Sequence, residues 1–122
     1  MNNYIDCSKV YIDKSSLGGI GVFAKQDLKK DEVVEVGIMT VLKNVDGNKN
    51  PHLFTWSDDR KSWAAGSGCL PFYNHFYIPN IKKVGDLVNN TMIIYASRDI
   101  KKGEELGNYY YSKKWRTCFQ IF

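Results

Sequence analysis

Residues 66–80 constrain the fold more than any other stretch of this chain. The segment opens with two glycines and then places apolar and aromatic residues around the adjacent Asn74 and His75. Amide and imidazole groups cost free energy when they are buried without partners, so these side chains need hydrogen bonds in the folded state. Pro71 and Pro79 disfavour a continuous helix or a central strand. The sequence therefore predicts a buried, irregular loop, which serves either as a capped core turn or as a binding site.

The rest of the chain predicts a mainly β domain, a β-rich α+β class with at most short helices, because no segment repeats apolar residues at helical spacing over three turns. The strand candidates are residues 9–14, 20–24, 32–45 (one strand, or two with a kink at Gly37), 52–56, 81–88 and 91–97. Residues 46–51 are typical of a loop, and residues 62–65 favour one helical turn. Asn89 and Asn90 predict a hairpin, because asparagine tolerates positive φ.

Two similar segments, residues 27–34 and 99–106, each place an apolar residue before a charged turn and the start of an apolar strand. Two copies are too few for a repeat protein. They predict two equivalent turns within one small β fold.

Composition bounds the function classes. A chain of 122 residues is long enough for one modest core. The net charge is +4, and lysines occur as pairs in turns, which indicates a solvated surface and no direct nucleic-acid site. No apolar run approaches a membrane span, and the N-terminus lacks a secretory signal pattern. Cys7, Cys69 and Cys118 have no metal-site spacing, so we expect no metal and a reducing, intracellular environment.

Several motifs, taken in order, resemble those of the SET-domain protein lysine methyltransferases. They are the glycine-bearing segment 18–24, the Asn74-His75 pair with Asn80 five residues later, and residues 103–106 followed by tyrosines. The resemblance is strongest to the minimal single-domain SET proteins of large algal viruses. It implies one SET domain over residues 1–122, with small sheets and a C-terminal pseudoknot. In that pseudoknot the strand after residues 103–106 threads through the loop that bears Asn74 and His75.

The resemblance also implies an activity: methyl transfer from S-adenosylmethionine to a lysine of a histone tail or another protein, with S-adenosylhomocysteine as product. The implied cofactor-binding residues are Ile20, Gly21, Asn74, His75, Tyr110 and Trp115, the last as a cover over the adenine. Tyr110 is also the implied catalytic residue, which directs its hydroxyl at the reacting amine and methyl. A viral source, a homodimer and a chromatin role, in the nucleus if the substrate is a histone, follow from the same resemblance.

The aromatic content suits this chemistry. Alignment of two reactants supplies a large part of the rate of a direct displacement. Aromatic faces and oxygen acceptors can hold a sulfonium without a metal, and an apolar channel favours the neutral lysine that must attack. Aromatic residues make up 14% of the chain, and several lie near the motifs.

Four residues depart from the family pattern. His52 stands where relatives often place a tyrosine of the lysine channel, and Asn108 stands where an apolar or aromatic residue influences the number of methyl groups. Both are candidate substrate-binding residues. Phe76 replaces a common serine or cysteine, and Gly107 is also unusual. Two alternatives stay open: a catalytically impaired SET-fold module that binds cofactor or peptide without turnover, and an aromatic-rich interaction protein unrelated to methylation.

Overall fold

The computed structural model of the chain describes residues 4–50, 52–57, 59 and 61–110. These residues form strands β1 (Val10–Lys14), β2 (Ile20–Ala24), β3 (Val33–Leu42), β4 (Phe54–Thr55), β5 (Trp63–Gly66), β6 (Asn74–His75), β7 (Ile81–Asp86), β8 (Thr91–Ala96) and β9 (Glu105–Asn108). Two short 3₁₀ turns, Gly47–Lys49 and Leu70–Phe72, are the helical elements of this part of the chain. The mainly β architecture predicted from the sequence is confirmed.

The strands form two sheets. One has the order β1-β2-β9-β6, so the late strand β9 lies between the early strand β2 and the short strand β6. The other has the order β4-β5-β3-β8-β7. All pairs are antiparallel except β6 with β9, which are parallel. The hydrophobic core draws on both sheets and on the 3₁₀ turn Leu70–Phe72. Its most buried residues include Val22, Leu106, Met39, Ile94 and Leu70.

The segment around Gly37 is a continuous strand, and its irregularity lies elsewhere. β3 runs unbroken from Val33 to Leu42, and the register shifts between Val33 and Glu35. The predicted alternative of a kink at Gly37 is therefore wrong. A methyl group at Gly37 would collide with the Leu70 side chain. This glycine therefore lets residues 66–80, here called the central loop, pack directly on β3.

Residues 62–65 form a strand, not the predicted helical turn. Trp63–Gly66 is β5, which pairs with β3 on one side and with β4 on the other. Trp63 and Ala64 are buried, and sheet pairing on both sides satisfies the backbone groups of a buried segment better than a single helical turn does. The predicted strand at residues 52–56 is shorter than expected, at Phe54–Thr55.

The predicted hairpin joins β7 to β8, and its turn is longer than two residues. Only Asn90 within it has positive φ, at 51°. The Asp86 carboxylate accepts hydrogen bonds from the backbone N–H groups of Val88 and Asn89 at 3.0 and 3.1 Å, so a side chain closes the rest of the turn. Across all the residues that the structure describes, no helix is long and apolar enough to cross a bilayer.

The two similar turns are equivalent and also contact each other. Leu28 and Ile100 form an antiparallel bridge with two backbone hydrogen bonds of 2.8 Å. Asp27 accepts a hydrogen bond from a backbone N–H of the later turn at 2.8 Å, and Asp99 accepts one from the earlier turn at 2.9 Å. This reciprocal pairing ties the start of β3 to the start of β9.

Candidate active site

The central loop and the late strand meet through backbone pairing. In β6, Asn74 lies opposite Gly107, and His75 lies opposite Asn108 of β9. The Phe76 N–H donates to the Asn108 carbonyl at 2.9 Å. These bonds form the contact that a strand threaded past the Asn-His loop requires.

Phe76 and Gly107 fit each other across this contact. A methyl group at Gly107 would collide with the Phe76 ring. The two unusual residues are therefore linked, because the bulky aromatic side chain after Asn-His occupies the space that a side chain on β9 would need.

Asn80 fastens the other end of the loop to β9. Its amide nitrogen donates to the Glu105 carbonyl at 2.8 Å, and its amide oxygen accepts from the Gly107 N–H at 2.9 Å. The residue is only 1% exposed. A buried amide that is satisfied on both sides by backbone groups fixes the position of the strand.

Asn74 links three distant parts of the chain. Its amide nitrogen donates to the Ile20 carbonyl at 3.0 Å and to the Glu105 carboxylate at 2.9 Å. The same carboxylate accepts from the Ser15 hydroxyl at 2.9 Å. Because the nitrogen is used internally, the amide oxygen of Asn74 is the atom that can accept from a ligand.

Gly21 makes this approach possible. A methyl group at Gly21 would collide with the Glu105 carboxylate and would lie 2.9 Å from the Asn74 amide nitrogen. Only a residue without a side chain lets the backbone at Ile20 and Gly21, here called the glycine bend, lie against Asn74. The result is a narrow backbone cradle beside the Asn74 amide.

His75 holds Tyr110 in place. The backbone N–H of Tyr110 donates to Nδ1 of His75 at 2.9 Å, so the neutral ring carries its proton on Nε2. The imidazole packs edge-on against Tyr77, Tyr109 and Tyr110, with ring centroids 4.6, 4.9 and 5.5 Å away.

Buried Tyr73 positions the Tyr110 hydroxyl. This hydroxyl donates to the backbone carbonyl of Tyr73. Tyr73 is fully buried, and its own hydroxyl donates to the Glu35 carboxylate at 2.7 Å. Burial raises the pKa of Glu35, although the hydrogen bonds from Tyr73 and from the Cys69 N–H, at 2.8 Å, oppose that rise.

Beside Tyr110 lies a cluster of three aromatic rings, here called the aromatic cage: Phe54, Tyr73 and Tyr110. Its occupant is the amine of Lys83, whose Nζ lies 4.5 Å from the Phe54 ring centroid, 5.7 Å from that of Tyr110 and 5.9 Å from that of Tyr73. Burial lowers the pKa of Lys83 to about 7, and the nearby charge of Glu35 opposes this shift. Burial at the cage therefore raises the neutral fraction of this lysine amine near neutral pH.

The SET domain family profile matches residues 19–111 of the chain. This chain belongs to the SET-domain family. The match includes Ile20, Gly21, Asn74, His75 and Tyr110, the residues that the structure links by hydrogen bonds and close packing around Asn74 and His75.

Known proteins agree with this membership. The SET domain is similar to the H3 lysine-37 specific histone-lysine N-methyltransferase of Schizosaccharomyces pombe, at 27% identity over 104 residues, which are 80% of this chain and 69% of the relative. It is similar to the structure of a candidate histone methyltransferase from Plasmodium falciparum, at 33% identity and a TM-score of 0.68, covering 84% of this chain and 92% of the other.

A third similarity is to an assembly. A humanized mutant of the Chaetomium thermophilum Polycomb Repressive Complex 2, bound to the inhibitor GSK126, matches this SET domain at 25% identity and a TM-score of 0.72, covering 88% of this chain and 15% of the other. The chain also spans only 5% or less of several much longer curated relatives from fruit fly and mammals.

The remaining predicted site residues of the SET domain are more scattered. His52 is exposed, and the centroid of its ring lies 5.2 Å from that of Phe72. Asn108 is beside His75, and its buried Oδ1 has no hydrogen-bond partner in the part of the chain that the structure describes. Trp115 lies outside the described residues.

Sequence reasoning missed the groups that support the site. They are Ser15, Glu35, Phe54, Tyr73, Lys83 and Glu105. A signal for Lys83 was present, because side chains alternate along a strand and Lys83 shares a face of β7 with the buried Ile81. Glu35 also had a signal, as a lone acidic residue within an apolar strand, which needs a partner when it is buried.

Two of the three cysteines come together under the site. Cys7 and Cys69 are free thiols, and their sulfur atoms and a Glu35 oxygen all lie within 4.8 Å of one another. Burial raises the pKa of Cys69 to about 11, and both Glu35 oxygens already accept hydrogen bonds. Cys69 is therefore a thiol at neutral pH, whereas zinc binds thiolates. Cys118 lies outside the described residues.

Proposed function

We propose that this SET domain is a protein-lysine N-methyltransferase that uses S-adenosylmethionine and acts on a histone tail or another lysine-bearing protein. One observation carries the proposal: Asn74 and His75 connect the early glycine bend to Tyr110 through side-chain hydrogen bonds of 3.0 and 2.9 Å. Family membership and the histone-lysine methyltransferase relatives support lysine methyltransferase function.

The cradle around Gly21 and Asn74 suits the cofactor. The close packing at Gly21 leaves backbone groups, rather than side chains, to line this wall. The Asn74 oxygen can accept from the amino group of an amino-acid moiety, and the rings around His75 offer apolar faces to an aromatic base. When bound, S-adenosylmethionine supplies an activated methyl group on a cationic sulfur, which aromatic faces and oxygen atoms stabilise.

Tyr110 orients the reacting groups. Because its hydroxyl donates to the Tyr73 carbonyl, its oxygen keeps lone pairs that can accept from the attacking amine. Burial beside the aromatic cage lowers the pKa of the Lys83 amine to about 7, which supports a site that favours the neutral form of an amine. A lysine in this cage is therefore a competent nucleophile, since attack requires the neutral form.

Asn108 bears on the number of methyl groups added. Its buried Oδ1, which has no hydrogen-bond partner among the described residues, is an acceptor two residues before Tyr110. An amine that still carries N–H groups can use this acceptor, whereas a fully methylated amine cannot. We propose that Asn108 favours a low degree of methylation.

The structure also offers support for a second candidate, a SET-fold binding module without turnover. The Lys83 amine fills the aromatic cage, and a permanent occupant would exclude an external lysine. The exposed position of His52, whose ring packs against Phe72, supports the same candidate.

Partners and location remain predictions. Histone methyltransferase relatives support a histone or other lysine-bearing substrate and a nuclear site of action. A homodimer and a viral source are proposed from the family resemblance alone.

Methyl transfer from labelled S-adenosylmethionine to histones and peptide arrays tests the proposal. The wild-type chain should label lysine, and Tyr110→Phe should lose roughly 100-fold in rate, because misplaced reactants cost about that factor. Tyr95→Phe is the matched control, since Tyr95 lies on β8 beside Lys82, and it should keep the wild-type rate. Equal labelling by wild type and Tyr110→Phe would overturn the catalytic role.

Calorimetric titration with the cofactor separates the alternatives. The wild-type chain should bind, and Asn74→Ala should weaken binding while the domain stays folded by circular dichroism. Binding without labelling would support the module without turnover. Absence of binding by a folded wild-type chain would leave only the interaction protein.

A further inference from the structure

Lys83 is a half-buried lysine whose amine lies over aromatic rings. It lies on β7 between Lys82 and Val84, and side chains alternate along a strand, so its neighbours face the other way. Lys82 shows the contrast: its side chain is 58% exposed and its Nζ lies 4.0 Å from the Asp31 carboxylate.

The contacts of the Lys83 amine with the described residues are to aromatic rings. None of the described residues forms a hydrogen bond or an ion pair with its Nζ. The charge of the Glu35 carboxylate raises the pKa of the amine. Three rings at 4.5–5.9 Å enclose it. One of them is Tyr110, the tyrosine assigned to the reacting centre.

We propose that the SET domain methylates its own Lys83, whose amine occupies the aromatic cage as an acceptor within the same chain. The inference rests on the proposed function and deepens it by naming an acceptor. Lys83 and Tyr110 meet in the folded domain without any other polypeptide, so the acceptor needs no docking surface.

The step balances as an ordinary displacement. The Nζ lone pair of neutral Lys83 forms an N–C bond to the methyl group of S-adenosylmethionine. The C–S bond breaks, its electron pair stays on sulfur, and S-adenosylhomocysteine leaves as a neutral thioether. The new ammonium then gives a proton to water.

Burial favours this reaction near neutral pH, and the neighbouring charge opposes it. The titratable groups that face Lys83 are Tyr73, Tyr110 and Glu35, and Glu35 alone raises the pKa of the amine. Burial outweighs that influence and brings the pKa to about 7, so a large part of the amine is neutral under physiological conditions. The neighbouring Lys82 has a side chain that is 58% exposed beside Asp31.

Location inside the fold also distinguishes self-methylation from modification by another enzyme. A second enzyme would need Lys83 extended into its own channel, whereas in this fold the amine lies 4.5–5.9 Å from the ring centroids of Phe54, Tyr73 and Tyr110. Self-methylation therefore predicts a rate per molecule that does not depend on protein concentration.

Mass spectrometry of the full chain after incubation with labelled S-adenosylmethionine, without any peptide, tests the inference. We expect methyl groups on Lys83, at a fractional rate unchanged by tenfold dilution. Lys83→Arg should abolish this labelling, and the matched variant Lys82→Arg should retain it. Tyr110→Phe should slow it in the same proportion as it slows labelling of an external peptide.

The outcomes separate this inference from the proposed function. Labelling of an external peptide with Lys83 unmodified would overturn self-methylation and leave the enzyme assignment standing. Labelling of Lys82 instead, or a fractional rate that falls with dilution, would also overturn it. A folded chain that binds no cofactor would overturn both.

Discussion

Phe76 and Gly107 show how one unusual residue explains another. The aromatic side chain after the Asn-His pair needs the space beside the α-carbon of Gly107. Each residue alone is an unexplained departure from the SET pattern, and the structure joins them into one packing solution. Sequence reasoning identified both residues but had no means of placing them in contact.

This coupling gives a stability prediction. Gly107→Ala should lower the free energy of unfolding by about 1–3 kcal/mol, because the added methyl group overpacks against the Phe76 ring. Adding Phe76→Ser to Gly107→Ala should recover part of that loss. Denaturant unfolding of the wild type, the two single variants and the double variant forms a double-mutant cycle that measures the coupling free energy. Strictly additive effects would contradict the proposed contact.

Lys83 makes a second prediction at the residue scale. Its folded-state pKa of about 7 lies below its ordinary value of 10.5, so between these pH values the unfolded chain holds more protons and stability rises with pH. Lys83→Met should remove that rise and stabilise the domain at pH 7 by on the order of 2 kcal/mol, because an apolar side chain replaces a desolvated amine.

Thermal unfolding from pH 6 to 10 measures this effect, and Lys82→Met is the matched control. The control should keep the wild-type slope, since Lys82 is exposed. A wild-type chain whose stability does not rise above pH 7 would contradict the buried position of the Lys83 amine.

At the scale of elements, the paired turns at residues 27–34 and 99–106 are the clearest success of sequence reasoning. Their equivalence followed from the sequence pattern, but their contact did not, because a bridge between residues 28 and 100 has no local signal. The helical turn predicted at residues 62–65 failed for a related reason: pairing with two distant strands overrode local preference.

The equivalence of the turns predicts a stabilising substitution. Asp31 has φ of 71° in the first turn, where the second turn has Gly103 at 85°. Asp31→Gly should stabilise the domain by about 0.5 kcal/mol, because relief of the left-handed conformation exceeds the added entropy of glycine in the unfolded chain. Gly103→Ala should destabilise it by a similar amount. Thermal unfolding of both variants decides whether the two turns respond in opposite directions.

At the scale of the whole molecule, the site joins segments near residues 20, 74 and 110. The family resemblance supplied the segments in order, and the mainly β class came from the absence of helical periodicity. Their relative placement could not be predicted from local patterns, because β6 has only two residues and pairs in parallel. The occupied aromatic cage was likewise hidden, since it draws on β4, the central loop, β7 and Tyr110.

Asn80 provides the test of this long-range assembly. Asn80→Ala should lower the free energy of unfolding by about 2–4 kcal/mol, because it leaves a buried backbone N–H and a carbonyl of β9 without their partner. Calorimetry should also show weaker cofactor binding, since β9 holds Glu105 against Asn74. Asn89→Ala, in an exposed turn, should change stability by less than about 0.5 kcal/mol. Equal effects of the two variants would contradict the role of the Asn80 hydrogen bonds in holding β9.

The central place of β9 in its sheet has a consequence for biosynthesis. Strand β2 ends at Ala24, and its partner β9 begins at Glu105. At ribosomal speeds of roughly 5–20 residues per second, one side of β2 waits about 4–16 seconds for that partner. During this interval the nascent polypeptide carries an unpaired edge that another chain can join. Cells that make this protein at high rates therefore need chaperones most before the last strand emerges.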